Sequence, residues 1–132
     1  MFDHINWLAV AVAAVATFVI GGPWYSPLLF LNRWQKEMNL SDSQAGHPAR
    51  VFGLAYVFSF VACALLASTI EPGAGALAGL TKGLLVGLCF VASSFGINYQ
   101  FANRSAAALL IDGGYHVLQF AEFGLVLGAW PA

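Results

Sequence analysis

The sequence predicts an all-α membrane protein in which four transmembrane helices form a bundle and a short interfacial amphipathic helix follows the first span. Three observations predict this class. Hydrophobic residues make up 60% of the chain and charged residues only 8%, whereas soluble domains are about 25% charged. The mean hydropathy is +0.77. Four apolar runs are long enough to cross the hydrocarbon core, which needs about 20 residues per helix. We therefore expect one membrane domain over residues 1–132.

Breakers and polar turns separate the predicted spans. The first span ends at the Gly and Pro residues of GGPWYSP, after which Leu31, Trp34 and Met38 recur at helical spacing, as in a helix that lies in the membrane interface. Ser105 is placed to cap the last span. The predicted spans are about 5–22, 49–70, 76–99 and 106–130, with the interfacial helix at about 28–39.

Positive charges predict the orientation in the bilayer. They flank the first and third connections at Arg33, Lys36, Arg50 and Arg104, whereas only Lys82 lies on the other side. The positive-inside rule then places both termini outside the cytoplasm. We expect a multi-pass membrane protein whose first apolar run is retained as a helix. The chain has no basic tract, so we expect the lipid bilayer and not nucleic acid as its partner.

Small residues recur at every fourth position in the third and fourth predicted spans. Such stripes let helix backbones approach closely in lipid, where no hydrophobic force drives helix pairing. The pattern leaves open whether the stripes meet within one chain or between chains. Because four short helices enclose little interior and the glycine stripes need a partner helix, we expect a homo-oligomer. The packing residues are Gly75, Gly79, Gly83, Gly87, Gly124 and Gly128.

The fourth predicted span is the most unusual segment, because it carries polar residues at membrane depth. At about 100° per residue, five of them fall within one arc of about 120°. A charged side chain at the centre of a membrane helix costs roughly 2.5–3.5 kcal/mol, so we expect these groups to face one another in the protein interior. The third span offers Ser94 and Asn98 in line with Gly83 and Gly87, and the second offers Tyr56, Ser59 and Cys63. The five residues of the fourth span are Asp112, Tyr115, His116, Gln119 and Glu122.

Two interpretations of this polar arc remain open. In the structural one, burial keeps the carboxyl groups protonated and they hold helices together by hydrogen bonds. In the functional one, the arc binds or passes a proton or a small polar solute, His116 titrates near neutral pH, and Asp112 orients or charges it. Neither a full set of metal ligands nor a nucleophile–base pair or phosphate-binding loop is evident, so we expect no metal site and no enzyme. No cofactor can be assigned.

Aromatic residues mark the expected membrane surfaces. Trp and Tyr concentrate at the level of the lipid headgroups, where one end of the ring is apolar and the other is wet. We expect interface anchors at Trp7, Trp24, Tyr25, Trp34 and Trp130.

Several segments resemble a known family. NWLAVAVAAVATFVIGGPWYSPLLF, NYQFANRS and LIDGGYHVLQFAEFG are similar to the bacterial integral-membrane family known as domain of unknown function 1761. The most specific elements are Trp24-Tyr25-Ser26-Pro27, Asn98-Tyr99, Arg104-Ser105, and Asp112 with Tyr115-His116. The resemblance covers nearly the whole chain. It implies a small membrane protein of four helices in the bacterial inner (plasma) membrane, and it implies no activity.

Overall fold

The computed structural model describes residues 1–132 as an all-helical chain without strands. A short 3₁₀ turn, Asp42–Gln44, lies between the second and third helices. The fourth helix is continuous but contains a π-helical turn at Gly87–Ala92. We number the helices α1 (Trp7–Trp24), α2 (Leu31–Met38), α3 (Pro48–Ala67), α4 (Ala76–Phe101) and α5 (Ala106–Ala129).

Local sequence explains where these helices begin and end. The side chain of Asn6 accepts a hydrogen bond from the backbone N–H of Ala9 at 3.0 Å and caps α1. Ser105 caps α5 in the same way, as predicted, by accepting from Ala108 at 3.1 Å. Pro48 occupies the first turn of α3, where its missing N–H costs no helical bond. Asn39 ends α2 in the left-handed conformation, with φ of 56°.

Three helices, α1, α3 and α4, are long and apolar enough to cross a membrane. This number differs from the four spans expected from the sequence. Helix α5 has 24 residues, about 36 Å at 1.5 Å per residue, so its length would suffice. Its polar side chains, however, make it less apolar than the other three. The polar residues that make α5 unusual are thus also the residues that lower its hydropathy below that of α1, α3 and α4.

Helix α5 is the central element of the fold. It packs against α1, α3 and α4 and also contacts α2. Val10, Ala13, Cys63 and Phe123 are fully buried around it. Helices α3 and α4 lie on either side of α5 and form no packed interface with each other. A groove floored by α5 therefore runs between them.

The glycine stripes of α4 and α5 face each other within one chain. A Cβ atom added at Gly79 would overlap the carbonyl oxygen of Gly124, and one added at Gly83 would overlap that of Phe120. At the end of the stripe, the backbone N–H of Gly75 donates to the carbonyl of Gly128 at 3.0 Å. The two backbones are in direct contact. The expectation of an oligomer drew partly on glycine stripes that needed a partner, and this pairing supplies one inside the chain.

The π-helical turn in α4 changes which side chains meet α5. A turn closed by i→i+5 hydrogen bonds holds one more residue than an α-turn, so every residue after it is rotated by about 100°. In an uninterrupted α-helix, Tyr99 would lie about 120° away from Gly87, whereas one extra residue reduces the angle to about 20°. Phe95 and Tyr99 therefore face α5.

Candidate polar site on the fifth helix

The Asp112 carboxyl group is held by two tyrosines from different parts of the chain. Tyr25, just after α1, donates its hydroxyl to Oδ1 at 2.5 Å. Tyr99, from α4, donates to Oδ2. Asp112 is only 6% exposed and Tyr99 likewise 6%. Because each oxygen accepts a bond from an aromatic hydroxyl, the buried carboxyl group is satisfied without a cation, as buried polar groups usually are.

Trp24 fixes the same region from the neighbouring position. Its indole Nε1 donates to the carbonyl oxygen of Ile111 at 2.9 Å. Its ring lies over Gly114, where an added Cβ would come within 3.3 Å of it. Trp24 and Tyr25 were expected to be interface anchors, and the structure shows that both bind α5.

The other expected anchors differ in their surroundings. Trp7 is 50% exposed and stacks on Phe60. Trp34 packs edge-on against Tyr25, and its buried indole N–H has no acceptor. Trp130 lines a pocket between the chain termini. Of the five aromatic residues, only Trp7 thus presents a largely free face.

A second polar cluster lies one turn further along α5. Nδ1 of His116 and Oε1 of Gln119 are 2.7 Å apart and share a hydrogen bond. Phe95 stacks on the His116 ring with 4.8 Å between ring centroids. The hydroxyl groups of Tyr115 and Thr17 are 3.1 Å apart and also share a hydrogen bond. These pairs are neutral groups with spare donors and acceptors.

This second cluster lines a cavity of about 370 Å³ among α1, α3, α4 and α5. The apolar part of its wall includes Phe18, Phe58 and Phe120. Ser59 lies on the wall as well and donates to the carbonyl of Ala14 at 3.3 Å. The remaining polar lining residues are Thr17, Tyr115, His116 and Gln119. The cavity can accept a small molecule and offer it hydroxyl, imidazole and amide groups.

Glu122 lies one turn beyond Gln119, towards the end of α5. Both of its carboxyl oxygens are buried and neither has a hydrogen-bond partner. A buried carboxyl group without a hydrogen-bond partner is costly, so Glu122 is the one member of the arc whose burial the fold does not compensate. Asp112 and Glu122, which belong to one predicted arc, therefore sit in different environments.

Two expected members of the polar network lie outside it. Ser94 and Asn98 are exposed on the outer side of α4, and Ser94 donates to the carbonyl of Phe90 in its own helix at 2.7 Å. Their predicted position assumed a regular α-helix. The π-helical turn rotates them away by about 100° and turns Phe95 and Tyr99 inward instead.

The expected contact between Asp112 and His116 is not formed either. Asp112 is bound by Tyr25 and Tyr99, whereas His116 pairs with Gln119. Helical spacing placed the two side chains on one face, but Asp112 is bound by residues from outside α5 and His116 by a residue one turn along α5 itself. The sequence reasoning missed Tyr25, Tyr99 and Thr17 as members of the site. Tyr25 had been expected to anchor the chain at the membrane interface, and Tyr99 lies in NYQF, which was singled out only for its family resemblance.

Charged residues cluster at the end of the fold that carries α2. Arg33 pairs with Glu37 at 2.7 Å, and Arg104 donates to the carbonyl of Met38 at 3.3 Å. Hydrogen bonds from the Ser105 hydroxyl and the Arg33 guanidinium lower the pKa of the Glu37 carboxyl group. These contacts join α2 to the first turn of α5. Asp112, about 10 Å further along α5, lies nearer to this end than the cavity does.

Comparison with known proteins gives one match. The model of the family described as "Protein of unknown function (DUF1761)" matches residues 8–128. No curated protein and no solved structure matches the chain. The matched range contains both polar clusters and all five helices except the first residue of α1 and the last of α5.

Proposed function

Because this chain belongs to the DUF1761 family of proteins of unknown function, its activity has to be inferred from the site itself, and we propose that it binds a small uncharged polar solute inside the membrane. The observation that carries the proposal is the cavity lined by Thr17, Ser59, Tyr115, His116 and Gln119. Clefts of about 300–1,000 Å³ with apolar walls and a few polar groups are the usual form of small-molecule sites.

The proposal assumes that α5 crosses the membrane with the three apolar helices, that both termini lie outside the cytoplasm and that α2 lies in the interface. Packing supports the first assumption, because α5 is enclosed by α1, α3 and α4 and exposes little of its polar arc. The second follows from the basic residues near α2. Half-buried Leu31, Trp34 and Met38 on α2 support the third.

The two polar clusters have different roles in this proposal. Asp112 accepts hydrogen bonds from Tyr25 and Tyr99 and thereby holds α1 and α4 against α5, which is a structural role. His116 and Gln119 provide the hydrogen bonds to the solute. No bond is made or broken in the solute, so the proposed activity is binding and not catalysis.

Photocrosslinking tests the proposal. The probe is a diazirine-bearing benzyl alcohol, applied to the protein in nanodiscs, and labelled peptides are mapped by mass spectrometry. We expect labels on α5 around His116–Phe120, and Gln119→Leu should lower this labelling several-fold. Gln100→Leu is the matched control, because Gln100 is exposed near the end of α4. Equal labelling in both variants, or none in the wild type, would reject the proposal.

Proton binding is a second candidate, and the unpartnered carboxyl group of Glu122 favours it. A buried ionisable group in a membrane helix is commonly a functional one. In this case Glu122→Gln should abolish proton flux into liposomes that contain the protein. Flux that equals that of empty liposomes in the wild type would eliminate this candidate.

A structural subunit is the third candidate. Helix α3 exposes large apolar residues along its length, including Phe52 and Phe58, which are 60% and 70% exposed. A second copy of the chain or another membrane protein could cover them, and a homo-oligomer is the simpler form of this candidate. Native mass spectrometry from mild detergent would show either one as a discrete added mass, whereas a monomer with a retained small molecule would favour the solute site.

A further inference from the structure

We propose that the solute is a neutral amphiphile drawn from the bilayer, with an oxygen-bearing head at His116 and Gln119 and an apolar tail in the groove between α3 and α4. The inference rests on the proposed function and identifies the class of its solute. It follows from a second cavity, from the charge of the lining and from the side on which the groove opens.

The second cavity extends the first one along the groove. Its volume is about 270 Å³, and it shares Ala62 and Phe120 with the polar cavity. Its other lining residues are Leu65, Leu66, Thr69 and Val86. Ser59 and Thr69 are ten residues apart on the α3 side, so the groove runs roughly 15 Å from Ser59 to Thr69 at 1.5 Å per residue, of which about 10 Å lies beyond Ala62. The polar cavity thus adjoins an apolar one, and the groove that holds both is long enough for an alkyl or prenyl chain.

The residues that line the two cavities disfavour a ligand with a charged head. No Asp, Glu, Lys or Arg lines either cavity. A charged head would leave water without gaining an ion pair, and burial of an unpaired charge is far more costly than burial of a hydrogen-bonded hydroxyl or carbonyl group. His116 and Gln119 offer hydrogen bonds to such neutral groups. A long-chain alcohol or a similar lipid with a carbonyl head therefore fits the lining.

The groove opens sideways, toward lipid. Phe58 stands at the rim of the polar cavity and is 70% exposed, and Leu65 stands at the rim of the apolar one and is 54% exposed. Both face outward from α3, the helix that forms no packed interface with α4. A molecule dissolved in the bilayer can reach this groove without crossing water. A strongly hydrophilic solute would have to cross hydrocarbon first.

A pair of probes separates this inference from the proposed function. The short probe is the diazirine-bearing benzyl alcohol, and the long probe is 1-dodecanol with a diazirine at the end of its chain. We expect the long probe to label peptides that contain Leu65–Thr69 or Val86. Val86→Trp should lower labelling by the long probe at least five-fold and leave the short probe unchanged, because Val86 lines only the apolar cavity.

Two controls complete the experiment. Leu85→Trp adds the same ring one position away, where the side chain is 57% exposed, and should change neither probe. Unlabelled 1-dodecanol should displace the long probe, whereas dodecyltrimethylammonium, which has the same tail and a cationic head, should not. If Val86→Trp leaves the long probe unaffected, or if the cation competes equally well, the amphiphile is wrong while the solute site stands. If neither probe labels the groove, both proposals fail.

Discussion

The contact between α4 and α5 allows one substitution to be predicted in detail, Gly83→Ala. The added Cβ would overlap the carbonyl oxygen of Phe120 and lie 2.9 Å from its carbonyl carbon and 3.2 Å from Cα of Ala121. Ordinary van der Waals contact begins at about 3.4 Å. All of these neighbours are backbone atoms of a helix, so none can rotate away. The two helices have to separate.

The magnitude follows from this separation. When two packed surfaces move apart by about 0.5–1 Å, each dispersion contact between them loses roughly a quarter to a half of its energy. The contact between α4 and α5 runs from Gly75 to Gly87, so many such contacts would weaken together. Overpacking of a close interface costs about 1–3 kcal/mol, and we expect Gly83→Ala to lower the free energy of unfolding by that amount. Gly96→Ala is the matched control in the same helix, because an added Cβ there meets nothing within 4 Å. Replacing a helical Gly by Ala at such a site should stabilise by roughly 0.5–1 kcal/mol.

Unfolding by SDS titration, followed by far-ultraviolet circular dichroism, measures both variants in mixed micelles. The two substitutions add the same methyl group to the same helix and should shift the midpoint in opposite directions. Equal shifts would mean that backbone contact between α4 and α5 does not hold the fold together. A gain in stability with Gly83→Ala would refute the reasoning outright.

Three further predictions concern the Asp112 site and the helix ends. Asp112→Leu leaves the hydroxyls of Tyr25 and Tyr99 without their acceptor and should lower the free energy of unfolding by about 1–3 kcal/mol for each buried group. Asp112→Asn keeps a carbonyl oxygen and should lower it less. Equal losses of stability in the two variants, measured by SDS titration, would contradict this. Deleting Cys89, inside the π-helical turn, should rotate Tyr99 away from Asp112, so that a further Tyr99→Phe change causes no added loss in a double-mutant cycle. Gly75→Ala places a side chain at φ of 95° and should cost roughly 1–2 kcal/mol, which thermal unfolding in detergent would detect as a lower midpoint.

Sequence patterns among residues that are close together in the chain predicted much of this architecture. The helix bounds follow from apolar runs and local caps, as at Ser105. Glycines at every fourth position indicated that α4 and α5 can each approach another helix closely, because residues without side chains permit that contact, but they left open whether the partner lies in the same chain. The polar arc of α5 follows from regular helical spacing, which this helix keeps. Each of these features depends on residues within a few turns of one another.

The partners of the polar residues could not be predicted in the same way. The π-helical turn lies in GLCFVA, which contains no proline and whose one glycine, Gly87, had been assigned to helix packing. The turn replaces Ser94 and Asn98 by Phe95 and Tyr99 on the side that faces α5. Tyr25 reaches Asp112 only because the chain folds back after α1, a contact across 87 positions. Spacing within one helix shows which side chains share a face. It does not show which of them a neighbouring helix will bind.

The central position of α5 also bears on the biogenesis of the protein. Helix α5 is synthesised after the four helices that it contacts and is the least apolar of the four long helices, and its carboxyl groups find their surroundings only among helices made earlier. Tyr25 and Tyr99 are synthesised before Asp112, and a link of four residues joins α4 to α5. The glycine contact joins two helices that are neighbours in the chain, so it can form as soon as α5 is complete. A chain truncated after Phe101 would keep the three apolar helices but lose the helix that packs against all of them, and with it the core around Phe123.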